Sequence, residues 1–327
     1  MKVRFWGTRG SIPVSITAKD VRAKIAAALR AARDSASEEG TLGDDAGIER
    51  FIDGLGFALS GTYGGHSSCV EIETGNEDAG NEHLLCDMGS GVRAFGESMM
   101  KRYGPARQQT YHVFMSHVHW DHIMGFPYFM PVYIPGNRIV IHGCHAELEH
   151  AFKRQQAVPS FPVDFSLLGS NIEFDVIAPG ETRSVAGVTV STLKQRHSGD
   201  SYGWRFEGAG KSVVYSTDSE HRLENAEETK VFVDFFRNAD LVIFDAMYSL
   251  ADAISVKADW GHSSNILGVE LCQMAGVRRL CMFHHEPAYD DGRIDNVLAE
   301  TRRFEEITRS GSALEVLSAW DGLEIAV

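Results

Sequence analysis

The sequence has few of the residues that disulfide-rich, membrane-spanning and thiolate-metal proteins depend on. Its five cysteines are scattered over 327 residues and never form Cys-x-x-Cys, which argues against a disulfide framework and a thiolate zinc site. No apolar run approaches the length that crosses a membrane. The N-terminal MKVRFWGTRGSIP lacks the apolar core and cleavage site of a signal peptide. We therefore expect a cytoplasmic protein with no membrane partner.

Basic charge is also scarce, because the formal net charge is −14 and no run of Lys or Arg is longer than two. A protein that holds a long nucleic acid neutralises phosphates with basic side chains. We therefore expect a small-molecule substrate and no long nucleic-acid partner. A bound metal ion would add positive charge that this count omits.

Apolar spacing predicts helices in the N-terminal part of the chain. Residues 18–34 are rich in alanine and place Val21, Ile25 and Leu29 at intervals of four, which favours a helix. A polar break is followed by a second apolar face at residues 48–55, so we predict a helical hairpin at about 16–60. Two roles for it stay open, namely shielding an apolar patch and recognising substrate.

From Ser67 onward, short strands alternate with helices. Strands are predicted at 3–6, 70–73, 84–86, 111–115, 139–142, 172–177, 188–193, 202–206, 212–215, 241–244 and 280–283, and after Ala313. Helices are predicted near 146–157, 225–237, 263–275 and 293–309. This grouping predicts an α/β fold of two packed sheets with helices outside. A chain of this length can form one domain, which we expect to span 1–327 with the hairpin inserted.

The stretch SHVHWDH, residues 116–122, places four potential metal ligands after an apolar strand, namely His117, His119, Asp121 and His122. His117 and His119 are two apart on an extended strand end, so they project to the same side. Imidazole and carboxylate together suit Zn²⁺, Mn²⁺ or Fe²⁺. Four ligands are too many for one catalytic ion with an open position and too few for two ions.

Other apolar strands also end in residues that can bind a metal. His197 and Asp218 each follow a strand, and the adjacent His284 and His285 follow another. A single His or Asp in a loop is usually only solvated. The repetition of one layout beside SHVHWDH nevertheless favours additional ligands, and the choice between His284 and His285 stays open.

This ordered series of motifs resembles the metallo-β-lactamase superfamily, whose signature includes H-x-H-x-D-H. Within it, the chain is similar to the phosphodiesterase branch that contains the tRNA 3′-processing endonucleases and the phosphonate-pathway cyclic phosphodiesterases. The motifs cover nearly the whole chain and are GTRGSIP, DMGSG, SHVHWDHIMGFPYF, QRHSGDSYGWRF, YSTDSE and FHHEP. The resemblance implies an αββα sandwich with a two-metal site along one edge.

The resemblance also implies a ligand set. One ion would be held by His117, His119 and His197, the other by Asp121, His122 and His284, with Asp218 bridging; His284 is preferred because it directly follows its strand. Asp87 matches an aspartate that braces the metal loops. Zn²⁺ is the expected ion, with Mn²⁺ and Fe²⁺ as alternatives.

Asp245 and His262 resemble the acid–histidine pair of the tRNA-processing enzymes, in which the histidine protonates the leaving oxygen. In hydrolysis of a phosphodiester, two ions supply the hydroxide nucleophile and clamp the nonbridging oxygens. A histidine oriented by a carboxylate supplies the proton. Asp121, Asp245 and His262 are therefore the predicted catalytic residues. The alternative is that His262 only lies next to the N-cap of a helix and takes no part in catalysis.

Two differences from the tRNA-processing enzymes bear on the predicted substrate. The hairpin occupies the place of a short loop, and the long basic arm that grips tRNA is not evident, which disfavours tRNA processing. The segment GFPYFMPVY offers four aromatic residues that either stack a flat substrate group or pack into the core. These residues are Phe126, Tyr128, Phe129 and Tyr133.

The leading hypothesis is a dinuclear metal hydrolase acting on a small or cyclic phosphodiester, such as a cyclic nucleotide. The oligomeric state stays open, with a homodimer as one alternative. One alternative is an acyl hydrolase acting on a thioester, lactone or β-lactam. Another is a metal-binding sensor without catalysis, although the full ligand set argues against it.

Overall fold

Two seven-stranded sheets form the centre of the molecule, in a computed structural model that describes residues 1–35, 42–75, 80–249 and 261–327. The first sheet has the spatial order β14 (Glu324–Ala326), β1 (Lys2–Gly7), β2 (Cys69–Glu73), β3 (Glu82–Cys86), β4 (Thr110–Phe114), β5 (Arg138–Gly143) and β6 (Asn171–Val176). The second has the order β13 (Glu315–Ser318), β12 (Arg279–Phe283), β11 (Leu241–Asp245), β10 (Lys211–Ser216), β9 (Ser201–Gly208), β8 (Val188–Gln195) and β7 (Thr182–Val185).

Helices surround these sheets. They are α1 (Ala18–Ser35), α2 (Asp45–Gly54), α3 (Phe57–Ser60), α4 (Val92–Tyr103), α5 (Trp120–Ile123), α6 (Leu148–Gln155), α7 (Ala226–Phe236), α8 (Asn265–Ala275) and α9 (Asp291–Thr308). Single 3₁₀ turns lie at Phe126–Tyr128, Met130–Tyr133 and Phe165–Leu167. In the described part of the chain, every helix is too short or too polar to cross a membrane.

Apolar side chains fill three layers of core. Between the sheets, Phe5, Phe114, Trp204 and Phe283 are almost completely buried. A second cluster packs α7, α8 and α9 against the second sheet, and a third packs α4 and α6 against the first. Because each sheet is covered on both faces, its central strands are apolar along their whole length rather than alternating. The layers therefore run helix, sheet, sheet, helix, which confirms the predicted αββα sandwich.

Strand direction places the chain's loops at one edge of the sandwich. Strands β3 to β6 are mutually parallel, as are β10 to β13. Strand β8 runs in the direction of β10 because each is antiparallel to β9. In the first sheet, the carboxyl ends of β3 and β4 therefore lie at the same end of the sheet. In the second sheet, the same is true of the carboxyl ends of β8, β10, β11 and β12.

Two details of the secondary structure differ from the prediction. Strand β7 was not predicted, because Thr182–Val185 is a largely exposed edge strand without an apolar run. The helix predicted from residue 263 begins at Asn265, where the Ser264 side chain accepts from the backbone N–H of Leu267. His262 therefore lies in the loop that precedes the helix.

Helices α1 to α3 occupy the region predicted as a helical hairpin, although residues 36–41, which join α1 to α2, lie outside the described part of the chain. Lys24 attaches α1 to the sandwich: its Nζ donates to the carbonyls of Ala58 and Gly61 at 2.6 and 2.5 Å and to Asp291 at 2.6 Å. No residue of α1 is fully buried. Three polar contacts of one partly buried lysine thus fasten the helix, whose apolar residues Val21, Ile25 and Leu29 are exposed.

Glu71, on β2, provides a test of how burial affects stability. Burial raises the pKa of Glu71 from 4.5 to about 7, against the lowering effect of the hydrogen bond donated by Trp6 Nε1 at 2.9 Å. Because the folded pKa lies above the unfolded one, the stabilising contribution is complete below pH 4.5 and is lost as the pH rises through 7. We expect Glu71→Gln to raise the free energy of unfolding by about 2 kcal/mol at pH 8 and by far less at pH 5.

Urea unfolding at both pH values measures this difference. Glu73→Gln is the matched control, because Glu73 lies on the same strand but is one-third exposed and paired with Lys2 at 3.2 Å. Equal changes at the two pH values for Glu71→Gln would contradict the expectation.

Candidate metal centre

Three histidine rings converge where β4 and β8 end. The ring nitrogens of His117, His119 and His197 lie within 4.8 Å of one another, and His197 Nε2 is 3.2 Å from His119 Nδ1. His197 Nδ1 is 2.8 Å from the carbonyl of Gly261, which fixes that nitrogen as the donor and leaves Nε2 with a free lone pair. Burial lowers the pKa of His117 well below its usual value, so this ring is neutral. Three lone pairs can therefore meet at one point.

A second group lies beside the first. Asp121 and His122 belong to α5, and His284 follows β12. Asp121 Oδ2 is 3.1 Å from His122 Nε2 and 3.4 Å from His284 Nε2. All three side chains are at least nine-tenths buried. This is a compact set of two nitrogens and one carboxylate.

Asp218, at the end of β10, lies between the two groups. Its Oδ2 is 3.7 Å from His117 Nε2 and 3.6 Å from His197 Nε2. Its Oδ1 is 3.2 Å from both His122 Nε2 and His284 Nε2. Each carboxylate oxygen therefore faces one of the two groups, which is the arrangement that a bridging ligand requires.

The backbone is strained at this edge of the sandwich. Asp87, Asp218 and His284 have φ values of 59°, 49° and 60°, a left-handed conformation that non-glycine residues rarely adopt. Asp87 and His284 immediately follow a strand and Asp218 is the second residue after one, and all three side chains contact the cluster. Strain of this kind persists where the surrounding structure enforces it, most often at functional sites.

Asp87 holds the cluster from behind through four hydrogen bonds. It accepts from the backbone N–H and the Oγ of Ser116, from Tyr215 Oη and from His122 Nδ1, each at 2.7 Å. The bond from His122 Nδ1 turns the opposite nitrogen of that ring toward Asp218. Supporting carboxylates of this kind orient metal-binding histidines and increase their basicity.

We expect Asp87→Asn to weaken metal binding about 10- to 100-fold, because an amide nitrogen in place of Oδ2 accepts a hydrogen bond from neither His122 nor Tyr215. Competition with a chromogenic chelator measures the affinity. Asp240→Asn is the matched control, since Asp240 is a buried carboxylate that accepts from the backbone of Ser212 outside the cluster. Equal losses in both variants would indicate a general effect on folding.

The donor atoms fit divalent cations. Burial alone would lower the pKa of His122, but the carboxylates of Asp121, Asp218 and Asp87 raise it well above its usual value. The Nε2 atom of His117 is buried without a hydrogen-bond partner. The local field therefore favours positive charge at a point where imidazole nitrogens converge. Imidazole and carboxylate donors without thiolate suit Zn²⁺, Mn²⁺ or Fe²⁺.

Asp245 and His262 form a hydrogen-bonded pair next to this cluster, with His262 Nδ1 2.8 Å from Asp245 Oδ2. The His262 ring lies 5.2 Å from the rings of both His197 and His284. Burial lowers the pKa of His262, but Asp245 more than offsets this and raises it to about 9. Since Nδ1 is committed to Asp245, Nε2 is the nitrogen that can deliver a proton.

The two adjacent histidines after β12 face different surroundings. His284 Nε2 faces Asp218, whereas His285 Nε2 lies 2.8 Å from the carbonyl of Ala319. Burial lowers the pKa of His285 to about 3. The structure thus brings His284, and not His285, into the cluster.

Gly10 and Arg9, in the GTRGSIP motif, explain how His284 is held, and sequence reasoning missed both. A Cβ on Gly10 would lie 2.6 Å from atoms of the His284 ring, so only glycine fits there. Arg9 donates to the carbonyls of Gly64, Glu286 and Tyr289 at 2.8–3.2 Å and so ties together the loops around His284. The sequence signal for these two residues was the short turn GTRG, in which two glycines flank Thr-Arg.

The aromatic residues after α5 divide into core and surface. Phe126 and Phe129 are fully buried in the core, whereas Tyr133 is partly buried against it and donates to the carbonyl of Pro127. Tyr128 is 57% exposed. Trp120, within SHVHWDH itself, is 72% exposed.

Residues 82–285 match the family described as the beta-lactamase superfamily domain. The ribonuclease Z of Ignicoccus hospitalis is 26% identical over 237 residues, which cover 58% of this chain and 75% of that protein. The solved metallo-beta-lactamase fold protein YhfI from Bacillus subtilis has a TM-score of 0.63 at 19% identity, covering 99% of this chain and 98% of that one. A solved diphosphatase from the PhnP family has a TM-score of 0.58 at 16% identity, with 100% and 97% covered. At these identities, the two structures show a shared fold.

Proposed function

The chain belongs to the beta-lactamase superfamily, and from this premise we propose that it is a two-metal hydrolase of small phosphodiesters. The observation that carries the proposal is the convergence of two donor groups on the two oxygens of Asp218, with a separate proton donor, His262, beside them. Zn²⁺ is the proposed ion. Bound there, two cations would activate water and neutralise the nonbridging phosphoryl oxygens.

Seven side chains would hold the two ions. His117, His119 and His197 take one site and Asp121, His122 and His284 take the other, with Asp218 shared. The donor atoms of each group lie within 4.8 Å of one another. Each site would keep a position open for water or substrate, as catalytic sites require.

The pair of Asp245 and His262 favours a phosphodiester over an acyl substrate. Expulsion of an alkoxide requires a proton in the transition state, and a histidine within reach can provide it. Asp245 is oriented by the backbone N–H groups of Met247 and Ser219, at 3.1 and 3.4 Å, so the ring it holds has a fixed position. Hydrolysis of a thioester or lactone has less need of such a donor.

A small substrate is favoured over a long nucleic acid by charge. The formal net charge is −14, and gripping a polyphosphate backbone depends on many basic contacts. The similarity to ribonuclease Z supports hydrolysis of phosphodiesters, whereas the negative charge disfavours a long RNA as the substrate. A cyclic nucleotide contains a phosphodiester and is a small molecule.

The test is hydrolysis of bis(p-nitrophenyl) phosphate by protein loaded in turn with Zn²⁺ and Mn²⁺, followed by cyclic nucleotides and a precursor tRNA. We expect metal-dependent hydrolysis of bis(p-nitrophenyl) phosphate and of cyclic nucleotides, and little hydrolysis of the precursor tRNA. Two bound metals without turnover would redirect the search to thioesters and lactones. An unfilled site without turnover would favour a metal sensor.

We also propose that residues 1–327 form one domain with α1 to α3 inserted, and that a second copy covers the insertion. Val21, Ile25 and Leu29 on α1 are 42–66% exposed, and Ile48 and Ile52 on α2 about 40%. Basic side chains outnumber acidic ones on α1, while acidic ones prevail on α2. Pairing α1 with the α2 of a partner would therefore match both apolar and charged surfaces.

Light scattering is expected to give a dimer mass for the wild type and a monomer mass for Ile25→Glu/Leu29→Glu. Ile307→Glu is the control, because Ile307 is equally exposed but lies on α9. A monomeric wild type would overturn the proposed assembly.

A further inference from the structure

Trp120 is a large apolar side chain exposed beside the metal centre. It is 72% exposed, although tryptophan is highly buried on average. Its neighbours in the chain are His119 and Asp121, so its Cα lies about 3.8 Å from the Cα of a residue in each donor group. Scattered surface apolar residues need no explanation, but this one occupies the junction of the two proposed metal sites.

Trp120 is the exposed residue of the helix that carries two proposed metal ligands. On α5, the side chains of Asp121, His122 and Ile123 are buried, and Trp120 alone of the four faces solvent. The adjoining His119 is also exposed, while His117 is buried. His119 is thus the exposed member of the first donor group, and Trp120, the next residue in the chain, is exposed as well.

The backbone beneath the indole is held firmly. The carbonyl of Trp120 accepts from the N–H of Met124 at 2.8 Å, and that of Asp121 accepts from Ser67 Oγ at 2.8 Å. The N–H of His122 donates to the carbonyl of His119 at 3.1 Å. The segment that positions the proposed ligands therefore also fixes the point at which the Trp120 side chain leaves the backbone, which favours a preorganised contact.

We infer that Trp120 stacks on a planar aromatic group attached to the phosphodiester, such as the base of a cyclic nucleotide. The inference rests on the proposed function and specifies its substrate class. Stacking on an exposed indole requires only a flat ring, because every base has a π-face. The contact would thus select nucleotides over other phosphodiesters while tolerating different bases.

The experiment compares kcat and KM for 3′,5′-cyclic AMP with those for the 3′,5′-cyclic phosphate of 1-O-methylribose, which lacks a base. Trp120→Ala is expected to reduce the preference for the nucleotide, expressed as the ratio of the two kcat/KM values, by about tenfold or more, mainly through KM. Trp120→Phe should restore most of the preference. An unchanged ratio in Trp120→Ala would overturn the inference, because a merely structural role would affect both substrates equally.

Failure of the proposed function is distinguished by a binding measurement. If the metal-loaded wild type hydrolyses neither substrate, the phosphodiesterase proposal fails. The stacking inference is then decided by quenching of tryptophan fluorescence by cyclic AMP, with the abasic phosphate as control. Quenching that disappears in Trp120→Phe supports stacking, and quenching that persists, or is absent in the wild type, overturns it.

Discussion

An Asp121→Ala variant is expected to bind one metal ion per chain where the wild type binds two. We expect its hydrolytic activity to fall about a thousandfold or more, which corresponds to roughly 4 kcal/mol of transition-state stabilisation. Asp121 Oδ2 lies 3.1 Å from His122 Nε2 and 3.4 Å from His284 Nε2. Without it, the second group retains two imidazoles and a share of Asp218, which is too few donors for tight binding.

The measurement combines elemental analysis of the purified protein with initial rates at saturating metal. Asp234→Ala is the control, since Asp234 lies on α7 and its carboxylate is substantially exposed. His119→Ala should instead empty the first site, so the two variants together assign one metal to each group. Two metals and normal turnover in Asp121→Ala would exclude the proposed ligand set.

The fold was predictable because its strands are continuous apolar runs. Strands buried on both faces, such as Leu241–Asp245, differ sharply in composition from the polar turns that follow them. The edge strand Thr182–Val185 carries no such signal, since pairing with β8 rather than burial maintains it. Apolar composition therefore predicted the central strands and failed at the margin of the sheet.

The residues of the cluster could be predicted where they follow the ends of strands. His197, Asp218 and His284 were selected because each follows a strand, and the parallel strand directions bring those ends together. The direction in which a histidine ring points could not be predicted, because it depends on contacts with residues distant in sequence. His284 and His285 are neighbours in sequence, yet Gly10 fits closely against one while the carbonyl of Ala319 holds the other.

Exposure was the least predictable property of the site. Phe126, Tyr128 and Phe129 have the same aromatic character in sequence, but only Tyr128 is exposed. Trp120 lies inside SHVHWDH, where no role was predicted for it. A four-residue helix turns Asp121 and His122 inward and this indole outward, and a three-dimensional turn of this kind leaves no trace in composition.

His262→Ala is expected to retain two metal ions and to lose turnover in proportion to the basicity of the leaving group. On a cyclic nucleotide, whose leaving group is a ribose alkoxide, kcat should fall about 10²- to 10⁴-fold, the usual contribution of general acid catalysis. On bis(p-nitrophenyl) phosphate the loss should be under about tenfold, because nitrophenolate departs without a proton. Retained metal would separate this effect from damage to the donor groups.

Asp245→Asn provides the second half of this test. If Asp245 acts only by holding His262 through the 2.8 Å bond to Nδ1, the double variant should be hardly slower than His262→Ala alone. Additive losses would show that Asp245 has a separate role near His284 Nδ1, which is 4.0 Å from its Oδ1. Equal losses on both substrates would remove His262 from proton transfer, because a group that only supports the site does not discriminate between leaving groups.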